Sequence, residues 1–230
     1  MINEIKKDLE ELKNPAKAKL LSGFFKTGKG EYGEGDVFLG ISVPQQRQVA
    51  KDYLNLSLVD LQKLLSYKIH EYRLVALLIL VGQYNKYENL RKKIVDFYLK
   101  NTKNINNWDL VDLSSHKILG HYFFNKNRKI LYKLVRSKNL WERRIAILST
   151  AYFISQNQFK DTLKIAGILL NDEHDLIHKA VGWMLREVGK RDQPTEERFL
   201  KKHYQKMPRT MLRYAIERFD EKKRQFYLKK

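Results

Sequence analysis

The chain has 230 residues, with 45 Lys and Arg against 26 Asp and Glu for a formal charge of +19, and its aromatics are 11 Phe, 13 Tyr and 3 Trp. At 43% hydrophobic content it can bury a sizeable core, which excludes a disordered chain, and the absence of Cys excludes disulfide frameworks, thiolate metal sites and cysteine nucleophiles together. So large a positive balance calls for a polyanion. Because the cations are spread along the whole length rather than gathered in one polybasic run, nucleic acid fits better than an anionic membrane.

The opening stretch Met1 to Lys13 is charged and amphipathic without an apolar central region, so it reads as neither a secretory signal nor an anchor. Pro15 after Asn14, and Pro194 before Thr195, each suit a helix start. Five of the 11 glycines bunch at Gly28, Gly30, Gly33, Gly35 and Gly40, which predicts a mobile connection between helices near 28–40. From Pro44 onward apolar residues recur at three and four, as in Leu74, Leu77, Leu78, Val81 and in Ile145, Leu148, Tyr152, with no period-two alternation. The expected class is all-α, in a single domain over 1–230. The longest apolar run, Leu74 to Gly82, falls well short of the roughly 18 residues a membrane span needs. The expected location is therefore the cytoplasm, on the nucleoid when DNA is bound.

The helices repeat. Tyr72-Arg73-Leu74-Val75-Ala76, Arg143-Arg144-Ile145-Ala146-Ile147, His178-Lys179-Ala180-Val181-Gly182 and Leu212-Arg213-Tyr214-Ala215-Ile216 share one register, each at the head of a helix. The basic slot recurs at Arg73, Arg144, Lys179 and Arg213, 35 and 34 residues apart in the last two steps and 71, two periods, in the first. Such a period predicts a curved α-solenoid of HEAT-like helical repeats, with the four cations lined along a basic concave face. A solvated helix start is the plain alternative, but cations there oppose the helix dipole.

The missing repeat falls at Asn107-Trp108-Asp109-Leu110-Val111-Asp112, where Asp109 takes the basic slot and Asp112 takes the place of Ala76, Ile147, Gly182 and Ile216. A carboxylate in an apolar slot costs stability unless compensated. Trp108 and Asp112, four apart, share a helix face, and Asp109 is turned about 100° away. Two explanations stand side by side: an Asp paired with an Arg of a neighbouring repeat, or a functional carboxylate. A carboxylate held near a DNA backbone adds no affinity, but it stabilises the oxocarbenium-like sugar formed when an N-glycosidic bond breaks, as does the π face of a Trp.

These segments, with Leu140-Trp141-Glu142-Arg143-Arg144, the run Lys179-Ala180-Val181-Gly182-Trp183-Met184-Leu185-Arg186-Glu187 and the loop Tyr32 to Asp36 followed by Phe38-Leu39-Gly40-Ile41, resemble the AlkD family of HEAT-like-repeat alkylpurine DNA glycosylases over about residues 14 to 220. The resemblance implies a monofunctional glycosylase, without metal or other cofactor, that removes N3- or N7-alkylated purines from duplex DNA without flipping the base. The expected state is a monomer. The same resemblance implies Asp112 as the catalytic carboxylate, Trp108 and Trp183 against the deoxyribose of the lesion, and Arg144 on a nearby phosphate. A family aromatic, often Tyr, falls on Phe24, which lacks the hydroxyl. Lys179, Arg73 and Arg213 complete the expected DNA contacts. Some relatives bind DNA, including branched DNA, without excision, and that binding-only function is the alternative; a protein-binding helical scaffold fits the charge least.

Other motifs carry less. Gly28-Lys29-Gly30-Glu31-Tyr32-Gly33 matches a dinucleotide fingerprint, but no strand precedes it and Glu31, Glu34 and Asp36 would repel a pyrophosphate. His174 and His178 have metalloprotease spacing without its Glu or a third ligand, so no metal is expected. Asp112, Ser114, Ser115 and His116 hold triad residue types that neighbours on one helix cannot converge. Trp141 reads as a core wedge, and Lys222, Lys223, Arg224, Lys229 and Lys230 as a solvated face or a weak phosphate contact.

Overall fold

The computed structural model describes residues 1–229; Lys230 lies outside them. The all-α expectation holds: the described residues form helices and turns, with one isolated parallel bridge between Val37 and Ile69. Close packing groups the described residues into two compact units, Met1–Ser114 and the remainder from Ser115. No described helix is long and apolar enough to cross a membrane.

The first unit comprises α1 (Ile2–Glu11), α2 (Pro15–Phe24), α3 (Val43–Asp52), α4 (Leu58–Leu65), α5 (His70–Lys86), α6 (Arg91–Lys100) and α7 (Trp108–Asp112). In the second, a π-helical turn at His116–Gly120 leads into α8 (His121–Phe123), followed by α9 (Lys129–Leu134), α10 (Leu140–Ser155) and α11 (Lys160–Ile168). It continues with α12 (Asp175–Gly189), α13 (Gln193–His203), α14 (Arg209–Ala215) and α15 (Glu221–Leu228).

Both proline starts are capped as their chemistry requires. The Asn14 side chain accepts from Lys17 N at 3.0 Å ahead of Pro15, and Asp192 accepts from Thr195 N at 3.0 Å ahead of α13. α5 is the spine of the first unit, buried along most of its length between α3 and α4. In the second unit α10, α12 and α14 pack one on the next in chain order, as stacked repeats do. Glycine sets how closely they approach: a Cβ on Gly182 would lie 2.4 Å from Met211 O and 2.5 Å from Tyr214 Cβ, and one on Gly120 would lie 2.4 Å from Ser149 O and 2.8 Å from Tyr152 Cβ. The same contact, a Gly against the carbonyl 29 residues on and the Tyr three beyond it, is thus built twice.

The glycine-rich connection is held in place, contrary to the mobile link its composition suggests. Val37 N donates to Lys68 O at 3.0 Å and His70 N to Val37 O at 2.8 Å, while the buried Glu71 carboxylate accepts from Leu39 N, Gly40 N and Ile41 N at 2.9, 2.8 and 3.2 Å. Gly40 sits at φ +88°, and a Cβ there would lie 2.1 Å from Asn14 O, so only glycine fits. The fingerprint carboxylates serve the loop itself, Glu31 accepting from Gly28 N at 2.9 Å and Glu34 from Gly30 N at 2.8 Å.

Candidate functional site

In the first unit the residues that matter gather around α7. Five residues are too few for a helix to sustain itself, so its place is fixed from outside. At its start the fully buried Asn107 accepts from Trp108 N at 2.8 Å and donates through Nδ2 to Asp36 Oδ2 at 3.2 Å. At its end Ser114 Oγ donates to Leu110 O at 2.5 Å and lies 2.9 Å from the buried Tyr98 hydroxyl of α6. Burial, and after it the charge of Asp112, half-buried on the last turn, hold that phenol protonated.

Asp109 points inward. Its Oδ1 accepts from Leu110 N at 2.8 Å and its Oδ2 lies 2.8 Å from His70 Nε2, at the start of α5. On the other side of the ring, His70 Nδ1 lies 3.0 Å from Asp36 Oδ2, and Arg73 Nη2 lies 2.6 Å from Asp36 Oδ1. Arg73 also donates to Asn106 Oδ1. All four charged side chains are at least nine-tenths buried. Burial alone would lower the imidazole, but the charge and hydrogen bond of Asp109 and the hydrogen bond of Asp36 outweigh it and push His70 up to about 9. Asp36 is likewise held below the usual carboxylate range: burial opposes this, and the His70 hydrogen bond and the Arg73 charge prevail. Two anions thus face two cations, and the cluster closes without net charge.

An aromatic column rests on this cluster. Phe38 stacks on His70 with centroids 4.6 Å apart, Phe25 on Phe38 at 5.0 Å, and Trp108 on Phe25 at 5.0 Å and 8°. Phe24, 63% exposed, meets the Trp108 ring edge-on at 5.9 Å. Phe24 and Trp108 are therefore in contact, and Asp112 belongs to the same short helix as Trp108. A mostly apolar cleft of about 300 Å³ borders the column, lined in part by Leu20, Leu21, Phe25, Phe38 and Ile41. The buried charges in its wall, His70, Glu71 and Asp109, are already hydrogen-bonded within the fold, while the Oε1 of buried Gln46 in the same wall has no partner among the described residues.

The four slots of the basic row have different surroundings, which corrects the expectation of four accessible cations. Arg73 is buried as the counter-ion of Asp36 and cannot hold a phosphate where it stands. Arg144 is also buried and donates through Nη1 to Leu176 O at 2.5 Å, tying α10 to the first turn of α12. Lys179 is half-exposed and pairs with Asp175 at 2.7 Å on its own helix, and Arg213 is exposed on α14. Trp183, half-buried on α12, donates from Nε1 to Glu187 Oε1 at 3.1 Å.

The lesser motifs resolve into packing. Trp141 is buried, as a core wedge should be. The His174 ring accepts from Leu176 N at 3.1 Å as a helix cap and His178 Nε2 meets Asp172 O, so both rings serve the start of α12. Lys223 pairs with Glu197 at 2.5 Å and Arg224 with Glu221 at 3.1 Å, which leaves Lys222 and Lys229 as the exposed C-terminal cations among the described residues. Sequence reasoning missed His70, Phe25 and the pairing role of Asp36; the one available hint was the misplaced charge at Asp109.

Three comparisons bear on identity. Solved structures with the same fold include a predicted DNA alkylation repair enzyme from Enterococcus faecalis, 20% identical at a TM-score of 0.68, with 91% of this chain and 97% of that one covered. Another is smu.31 from Streptococcus mutans UA159, 18% identical at 0.58, covering 78% and 92%. A third is AlkD2 from Streptococcus mutans, 17% identical at 0.56, covering 88% and 97%. No curated protein sequence is detectably similar to the chain. The family model described as DNA alkylation repair enzyme matches residues 5–219. With nearly its whole length matched by that model and its helical fold shared with these structures, the chain belongs to the DNA alkylation repair enzyme family.

Proposed function

We propose that the protein is a monofunctional DNA glycosylase that hydrolyses the N-glycosidic bond of cationic N3- or N7-alkylated purines in duplex DNA, without flipping the base. The observation that carries this reading is that Asp112 and Trp108 share a short helix that the rest of the unit holds in place. Alkylation at N3 or N7 leaves the base cationic, so when the C1′–N bond breaks its electron pair neutralises the base, which departs without a general acid. The positive charge passes to the sugar. A carboxylate lowers the energy of that sugar cation, and an aromatic face beside it does the same without blocking water. Water then bonds to C1′ and loses a proton, leaving free base and an abasic site.

In this scheme Trp108 and Trp183 contact the deoxyribose, Phe24 extends the Trp108 surface toward the backbone, and Lys179 and Arg213 neutralise phosphates. Arg73 contributes by balancing Asp36, and Arg144 by joining α10 to α12. The protein acts as a cytoplasmic monomer. The test is single-turnover release of free base from a duplex with one N7-methylguanine. Wild type should release it, and Asp112→Asn should be slower by on the order of 10²-fold with duplex affinity equal or tighter, since a charge that repels phosphate is gone. Tight duplex binding by wild type with no release would establish the binding-only alternative instead.

A further inference from the structure

The second unit carries a groove that uses no residue of the site above. α11 and α13 both pack on α12 and leave between them a space of about 480 Å³. Its walls include Lys164 from α11 and Arg198 and Lys202 from α13, with Leu163, Gly167 and the Phe199–His203 pair, whose rings lie 4.6 Å apart. Asp192, which caps α13, shares Thr195 with Arg198, Arg198 donating to the hydroxyl at 2.5 Å and the hydroxyl to Asp192 at 2.6 Å, but the acids within the two helices do not offset the cations. Asp161 is taken by Arg128 at 2.5 Å, Glu197 by Lys223 at 2.5 Å, and Glu196 is buried and pushed up to about 8, chiefly by that burial. Burial first, and then the charges of Lys202 and Lys206, hold the His203 imidazole below its ordinary range. It is thus a neutral flat ring within a cationic rim.

Gly167 is the independent observation. It is the next-to-last residue of α11, and nothing stands within 4 Å of where its Cβ would be. Close packing requires glycine at 120 and 182; at 167 it does not. What the missing side chain does is leave the groove open. An open apolar floor, an aromatic ring in the wall and three cations at the rim are the parts that hold a single-stranded nucleotide, base on ring and phosphate on cations. We propose that the groove between α11 and α13 is a second nucleic-acid site, which takes a nucleotide of a single-stranded segment, with its phosphate on Lys164, Arg198 and Lys202 and its base against His203.

The test is fluorescence anisotropy with a labelled ten-residue oligothymidylate, using wild type, Gly167→Leu and Lys164→Gln/Lys202→Gln. Gly167→Leu fills the groove from a position open to space, and a melting temperature at or above that of wild type certifies its fold. The surface pair removes charge without touching the core. Expected are a tenfold or greater loss of oligothymidylate affinity in both variants, a wild-type log-log salt slope of about −0.7 per phosphate held, and unchanged duplex affinity and base release. Single-strand affinity within twofold of wild type in both variants would overturn the assignment. So would displacement of the oligomer by micromolar thymidine monophosphate, which would mark a free-nucleotide site, or by polyglutamate at equal charge, which would mark an acidic protein surface. Because duplex binding is read separately, failure here is distinct from failure of the glycosylase.

Discussion

Replacing His70 by Gln removes one of four charges that neutralise one another inside the first unit, leaving Asp36 and Asp109 with only Arg73 between them. Raising the imidazole from 6.5 to about 9 corresponds, at about 1.4 kcal/mol per pH unit, to on the order of 3 kcal/mol of stability. Breaking a buried ion pair costs about 3–5 kcal/mol, so the two routes agree. For a body of this size the loss is roughly 10 °C in Tm. The sign follows from the direction of the shift: a group raised on folding stabilises fully below its unfolded value of 6.5, and that contribution disappears as pH rises through about 9. Glu196, raised to about 8, gives wild type and variant alike a decline between 4.5 and 8. The window that belongs to His70 is therefore pH 8 to 9.5. Urea unfolding followed by circular dichroism should show wild type losing stability across that window and His70→Gln, already weaker at pH 7, staying nearly flat. Parallel curves for the two proteins would refute the charged imidazole and with it the neutral cluster.

Gly182→Ala should destabilise by about 1–3 kcal/mol in the same denaturation assay, because the new methyl meets Met211 O, a backbone atom with no room to retreat. Gly120→Ala, against Ser149 O, should cost a comparable amount, and a neutral outcome at both would show that these helix contacts yield.

What the sequence made legible was local. Caps such as Asn14 and Asp192 act within three residues, and the apolar period of α5 or α10 lies inside one helix, so class and helix starts followed from neighbours alone. The repeat register was legible too, but a register position does not say which way a side chain is satisfied. Arg73 and Arg144 share a slot with Arg213 and are buried where Arg213 is exposed, since Asp36 and Leu176 O, both more than 30 residues away, supply partners. The glycine-rich connection misled for the same reason. Its composition suggests freedom, and the carboxylate that fixes it, Glu71, belongs to another element. His70 had no local signal at all, being a lone His at a helix start whose two partners come from 34 residues before and 39 after.

The misplaced charges of the middle repeat now separate into two kinds, and one experiment tells them apart. Asp109 replaces a cation in the slot that Arg73 occupies one repeat earlier, and the two slots are linked through Asp36 and His70 into one neutral cluster. Its sign is what the scaffold requires. Asp112, three residues on, is half-buried at the end of a helix whose start and end are already fixed by Asn107 and Ser114, and its charge bears on Tyr98. Removing charge by the same substitution should therefore move different quantities. Asp109→Asn leaves an acceptor for His70 but deletes the anion, so stability should fall by about 1–3 kcal/mol and the decline above pH 8 should weaken. Asp112→Asn should leave that decline as it is in wild type while base release falls. If Asp112→Asn instead weakened the decline above pH 8 and Asp109→Asn did not, the assignment of scaffold and chemistry to these two carboxylates would be reversed.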